Sequence, residues 1–158
     1  MKPIYLPQEV WTNTWLGLRE RSMSEKESLC VWAGVRQDNY SRVEEIIFLD
    51  DLPGVESFAL FHRVPRPAVK QLFKILLDKK LEFIADVHTH PEDWVGLSLT
   101  DQSHPIEFRI GFVSVVLPFY AASEPMLTKV GVHEYVGESQ WRTYINDEIS
   151  EKLKIGGI

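Results

Sequence analysis

Residues 67–90, PAVKQLFKILLDKKLEFIADVHTH, constrain the fold more than any other stretch, because a helical period and a buried-strand pattern stand back to back. Pro67 sits at a first helical position, where a missing N–H costs nothing. Val69, Leu72, Phe73, Leu76 and Leu77 then recur along one face to about Lys80. EFIADVHTH follows at once and reads as an inner strand covered on both faces. An amphipathic helix feeding straight into such a strand needs a sheet to lie on, so the expected class is α/β.

The rest of the chain extends this reading. After a short extended start, KPIYLP, the steps of three and four among Val10, Trp11, Thr14, Trp15 and Leu18 predict a helix from Gln8 to about Arg21. SLCVWAGV predicts a buried strand, joined by RQDNYS to RVEEIIFLD in an antiparallel hairpin. The Pro-Gly pair of DLPGVE marks a turn, and SFALFHR after it reads as an edge-like strand. A short helix is expected from Ser98. RIGFVSVVLPFY predicts a strand closed by Pro118, and LTKVGVHEYVG predicts another. SQWRTYINDEISEKL reads as a last strand turning into a helix, and the tail KIGGI as a frayed end. With no internal repeat or linker, residues 1–158 are expected to form a single domain, a mixed β-sheet flanked by helices.

A domain of 158 residues buries a core without help from disulfides or a structural metal, so any metal is expected to be functional. Cys30 is the only cysteine; this excludes an internal disulfide and a cysteine-rich zinc knuckle, and its apolar setting makes it a small buried hydrophobe. Lys and Arg number 17 against 23 Asp and Glu, and the formal charge of -6 opposes broad phosphate binding. Nucleic acid is therefore not an expected partner. No apolar run reaches membrane length and no basic-then-apolar leader is seen, so the expectation is a cytoplasmic protein without a membrane partner.

The chemistry concentrates in DVHTHPEDWVGLSLTD, residues 86–101. In an extended strand His88 and His90 point to the same side, about 6.6 Å apart along the chain, and one ion can bridge them. A catalytic zinc takes three protein ligands and keeps one position open. Asp101 is placed to be the third if a helix starts near Ser98, where the positive end of the helix favours an ionised carboxylate. Ser98 and Asp101 also fit a plain helix-capping pattern. Asp86 shares the strand face of His88 and reads either as a supporting partner or as a surface carboxylate, the latter favoured. His62, His104 and His133 read as structural or surface residues.

His88, His90, Pro91, Ser98 and Asp101, as H-x-H-P followed by S-x-x-D, resemble the JAMM (MPN+) metalloprotease motif. Members of that family carry an upstream glutamate in a strand of the form E-x-x-G-x-L-x-G. ESLCVWAG is similar at Glu27 and Gly34, with Cys30 and Trp32 where glycine and leucine are more usual. Glu25, Glu44 and Glu45 are the competing acids, each better suited to a solvated surface. The element order over about residues 4–137 resembles the family too, implying its cytidine deaminase-like architecture.

The resemblance implies one Zn2+ held by His88, His90 and Asp101, with Glu27 as general base and Ser98 as donor to the oxyanion. It also implies peptide or isopeptide cleavage after the C-terminal glycine of ubiquitin or a ubiquitin-like protein. The compact chain is similar to bacterial members encoded beside E1- and E2-like enzymes, antiphage systems included. Trp94 reads as a wall of the groove for the glycine tail or as a packing plug. Processing of a sulfur-carrier protein is the alternative within the family. A DNA-repair-associated relative without peptidase activity and a non-catalytic scaffold are the alternatives outside enzymology.

Overall fold

A computed structural model describes residues 1–57, 62–103 and 105–157 of the chain. Its elements are β1 (Ile4–Leu6), α1 (Gln8–Arg21), β2 (Leu29–Arg36), β3 (Ser41–Phe48), β4 (Glu56–Ser57), β5 (His62–Arg63) and α2 (Arg66–Lys79). There follow β6 (Glu82–Thr89), α3 (Leu99–Ser103), β7 (Val113–Leu117), β8 (Gly131–Gly137), β9 (Gln140–Tyr144), α4 (Asp147–Lys152) and β10 (Leu153–Ile155). Eight strands make one mixed sheet in the order β10-β1-β3-β2-β6-β7-β8-β9. Central β6 pairs antiparallel with β2 and parallel with β7.

The two faces of β2 carry two cores. Cys30 and Trp32 join Trp11 and Leu18 of α1 in one cluster. Leu29, Val31 and Ala33 join Leu72 and Leu76 of α2 in the other. Helices therefore cover both sides, which explains why neither β2 nor β6 alternates cleanly in sequence. Each large side chain such as Trp11, Leu18 or Leu72, all 2% exposed or less, contributes roughly 1.5–3 kcal/mol by leaving water. Trp32 is fully buried and keeps its polar edge satisfied by donating Nε1–H to Thr14 Oγ1 at 2.9 Å.

Gly34 has a local reason for its identity. The β2–β3 register shifts between Ala33 and Gly34, and a Cβ on Gly34 would stand 1.9 Å from the Arg42 carbonyl oxygen. Only glycine admits so close a strand.

Three sequence expectations change. Residues 58–61 of the SFALFHR strand lie outside the described residues, while its flanks β4 and β5 pair with each other apart from the large sheet. On α2 the buried stripe is Ala68, Leu72 and Leu76, whereas Phe73 and Leu77 are exposed: the face is turned about the helix axis toward Ala68 and away from Phe73 and Leu77. The C-terminal tail is not wholly frayed, since β10 runs parallel to β1 with Ile4 opposite Leu153 and Leu6 opposite Ile155. Pairing between the two ends is non-local and leaves no periodic mark in either three-residue strand. Among the described residues, no helix is long and apolar enough to cross a membrane.

Candidate metal centre

The strand β6 brings Asp86 and His88 to the sheet face that carries Val31 and Leu29, their opposite residues on β2, and His90 follows directly after its end. After Pro91 the chain loops over the strand ends and returns at Ser98, where α3 begins. Two reciprocal bonds set the return: Ser98 N–H donates to Asp101 Oδ2 at 2.8 Å, and Asp101 N–H donates to Ser98 Oγ at 3.1 Å. This is a capping box built with aspartate. Its Oδ2 atom is also the one that faces the histidines, 3.6 Å from His88 Nε2 and 3.3 Å from His90 Nε2.

Ligand atoms of His88, His90 and Asp101 all lie within 4.8 Å of one another. A tetrahedral ion with bonds near 2.05 Å would space its ligands by about 3.3 Å, close to the two distances above. Both Nε2 atoms are buried and neither makes a hydrogen bond. Buried polar atoms of native proteins are rarely left so, and two aimed at one carboxylate oxygen are arranged as ligands to a shared cation would be. The residues fit a divalent cation.

Groups behind the imidazoles orient them. His90 Nδ1 contacts the Trp94 carbonyl oxygen at 3.1 Å and can only donate to it, which leaves the Nε2 lone pair for a metal. His88 Nδ1 lies 3.6 Å from Asp86 Oδ1, and that oxygen also accepts from Ser114 Oγ at 2.5 Å. Burial by itself opposes charge on His88, but the close carboxylates of Asp101 and Asp86 outweigh it and raise the imidazole to about 10. Burial would likewise raise Asp101; the two imidazoles and the Ser98 N–H overcome it and hold the carboxyl well below the usual carboxylate range.

Glu27 is 1% exposed and immediately precedes Ser28 and β2. Strand alternation carried two residues back from Leu29 would turn Glu27 toward the face that bears His88. The competing acids are elsewhere: Glu25 is exposed, Glu44 pairs with Arg42, and Glu45 accepts from Lys79 at 2.6 Å. Cys30 is fully buried and its thiol is raised well above the ordinary value, first by burial and then by Asp86. Trp94 is 57% exposed and stacks on His90, with ring centroids 5.3 Å apart and planes 15° apart.

Two residues outside the expected ligand set support the site, Asp86 against the favoured reading and His133 in keeping with a structural one. Asp86, favoured as a surface carboxylate, is 7% exposed and braces His88; its parity with His88 along the strand was the available signal. His133 is buried and contacts the Val95 carbonyl oxygen through Nε2 at 2.8 Å and Thr143 Oγ1 through Nδ1 at 2.9 Å. It thereby pins the loop between the ligands, and burial lowers its pKa so that it serves as a neutral brace. No sequence pattern announces that contact across 38 residues. His104 lies outside the described residues.

Two known proteins are similar to this chain. A curated protein of Sinorhizobium fredii named Probable metalloprotease y4jG is 23% identical over 141 residues, spanning 89% of this chain and 86% of its own. The solution structure of protein DSY2949 from Desulfitobacterium hafniense superposes with a TM-score of 0.70 at 12% identity, covering 96% of this chain and 92% of that one, which establishes a shared fold. No family model matches the chain.

Proposed function

We propose that the chain is a zinc metallopeptidase of the JAMM (MPN+) type, cleaving after the C-terminal glycine of a ubiquitin-like protein. The carrying observation is the pair of buried Nε2 atoms of His88 and His90, without hydrogen bonds and converging on Asp101 Oδ2. The S. fredii relative named as a metalloprotease supports the same reaction class.

His88, His90 and Asp101 would hold the ion. Bound zinc would supply a Lewis acid that lowers a water's pKa to roughly 7. Glu27, buried just before β2, would take the proton from the attacking water and pass it to the leaving amine. Ser98 Oγ already accepts from the Asp101 N–H, so its own O–H is left to donate to the oxyanion; such a donor is commonly worth about 3 kcal/mol in the transition state. The exposed Trp94 ring beside His90 offers a wall for an extended, side-chain-poor tail.

Ubiquitin-like fusions, sulfur-carrier fusions among them, provide the test once metal content has been measured. One zinc per chain is expected, with cleavage after the terminal glycine. Glu27→Gln should keep the zinc and lose 10²- to 10⁴-fold in kcat, as expected of a general base. Zinc bound with no fusion cleaved would remove the peptidase reading, and turnover retained by Glu27→Gln would remove Glu27 as base. Cleavage confined to sulfur-carrier fusions would reassign the substrate while keeping the chemistry.

A further inference from the structure

Thr89, the residue between the two histidines, points away from the metal. It is fully buried on the α1 side of the sheet, among the hydroxyls of Ser22 and Ser28. The contact with the Leu18 carbonyl orders the donors in this cluster, with Ser22 at 3.1 Å the nearer acceptor for Thr89 than Ser28 Oγ at 3.4 Å. Ser28 Oγ donates to the Leu18 carbonyl at 2.9 Å, so in its 2.7 Å contact with Ser22 Oγ it must accept. Ser22 has then spent its proton, and in the 3.1 Å contact between them Thr89 donates to Ser22. Thr89 Oγ1 in turn accepts the Ser28 backbone N–H at 2.9 Å. Every hydroxyl donates once, and a chain of bonds runs from the end of α1 through Ser28 to the histidine strand.

The same pair is linked through the backbone, since Thr89 N–H donates to the Ser28 carbonyl at 3.1 Å. On the other side of Glu27, Tyr120 O–H donates to the Glu25 carbonyl at 3.1 Å, while Tyr120 N–H donates to the His90 carbonyl at 2.8 Å. Residues 25–28 are thus held at both ends by groups anchored on His90 or Thr89. We propose that Thr89 is a positioning residue: its side chain, facing the opposite side of the strand from the ligands, fixes the Ser28 peptide and thereby the placement of Glu27 against the metal centre. The inference rests on the role proposed above for Glu27.

Thr89→Val keeps the shape and removes both the acceptor for Ser28 N–H and the donor to Ser22; Thr89→Ser restores both. In the full chain, Thr89→Val is expected to bind one zinc within threefold of the wild-type affinity and to lose roughly 10- to 100-fold in kcat with KM within twofold, since a base displaced by about an ångström loses that much. Thr89→Ser is expected within threefold of wild type in both. A second readout needs neither zinc nor substrate: amide exchange at Ser28 in the metal-free chain should quicken at least tenfold in Thr89→Val and not in Thr89→Ser. Wild-type kcat in Thr89→Val, a kcat loss shared by Thr89→Ser, loss of zinc binding, or unchanged Ser28 exchange would each overturn the proposal. If the wild-type chain cleaves no fusion at all, the peptidase reading falls, and the brace is decided by the Ser28 exchange alone.

Discussion

Zinc binding should release a proton, and the site's geometry says which one. His88 lies between Asp86 Oδ1 and Asp101 Oδ2, each 3.6 Å from one of its ring nitrogens, and holds its proton to about pH 10. Asp101 is ionised throughout the accessible range, its carboxyl held far down by the imidazoles despite burial. A cation taking His88 Nε2 must therefore displace one proton from His88 and none from Asp101. Apparent zinc affinity should rise about tenfold per pH unit, hence about 100-fold between pH 7 and 9, and level off near 10. Chelator-buffered zinc titrations measure the slope, and calorimetry in buffers of different ionisation enthalpy counts the proton. Stability of the metal-free chain moves the other way. A raised histidine pKa contributes stability in full below about 6.5, its unfolded value, and loses it as pH climbs toward the folded value of about 10. Zinc at about 100 times its Kd adds roughly 2.7 kcal/mol, or about 5–10 °C in Tm for a chain of this size; at fixed zinc that increment should grow with pH. Asp86→Asn removes one of the two charges while leaving Ser114 an acceptor, and should move the plateau to lower pH. A flat affinity from pH 7 to 9 with no proton released would refute this account of the site.

Gly131→Ala places a Cβ 2.0 Å from the Val95 carbonyl oxygen, a backbone atom that cannot swing aside, so the ligand loop must lift from β8. The cost should be about 1–3 kcal/mol, read as a lower Tm, with zinc affinity falling at least tenfold in the same titration. Trp94→Ala removes a half-exposed ring while the carbonyl that orients His90 stays in the backbone. Stability should fall by less than about 1 kcal/mol and zinc affinity change less than threefold, while KM for a cleaved fusion rises at least fivefold in steady-state kinetics.

What was legible in the sequence follows how local each signal is. The helix of residues 66–79 and the strand after it are written in short-range periodicity, and α1 is written the same way in Trp11, Thr14 and Leu18. The gathering of His88, His90 and Asp101, a cluster that could hold a metal ion, was legible because two of them lie at one strand end and the third returns eleven residues later. Contacts between distant segments were not. The β1–β10 pairing joins the two ends of the chain, and His133 reaches the ligand loop from a neighbouring strand. Neither contact imposes a pattern on its own segment. Asp86 is an intermediate case: strand parity put it on the right face, and the prior that carboxylates are solvated pointed to the surface. Ser114, its partner across the β6–β7 pair, could not be assigned before the register was known.

The capping and metal readings of S-x-x-D looked like rivals, yet the geometry makes one depend on the other. A carboxylate offered to a cation must be held in one rotamer, or the ion meets the entropy cost of ordering it. Ser98 N–H removes that freedom by bonding Oδ2, the atom that also faces both imidazoles. Asp101 N–H returns the bond to Ser98 Oγ and so fixes the hydroxyl proposed to meet the oxyanion. In α3, a helix of only five residues, the box therefore does more than end a ladder of backbone bonds: it holds the proposed third ligand and the proposed donor in one unit. A substitution at Ser98 should consequently be felt twice. Ser98→Ala would weaken the cap and remove the donor, whereas Ser98→Thr, which caps nearly as well, would separate the two effects by keeping zinc bound while the added methyl crowds the oxyanion position.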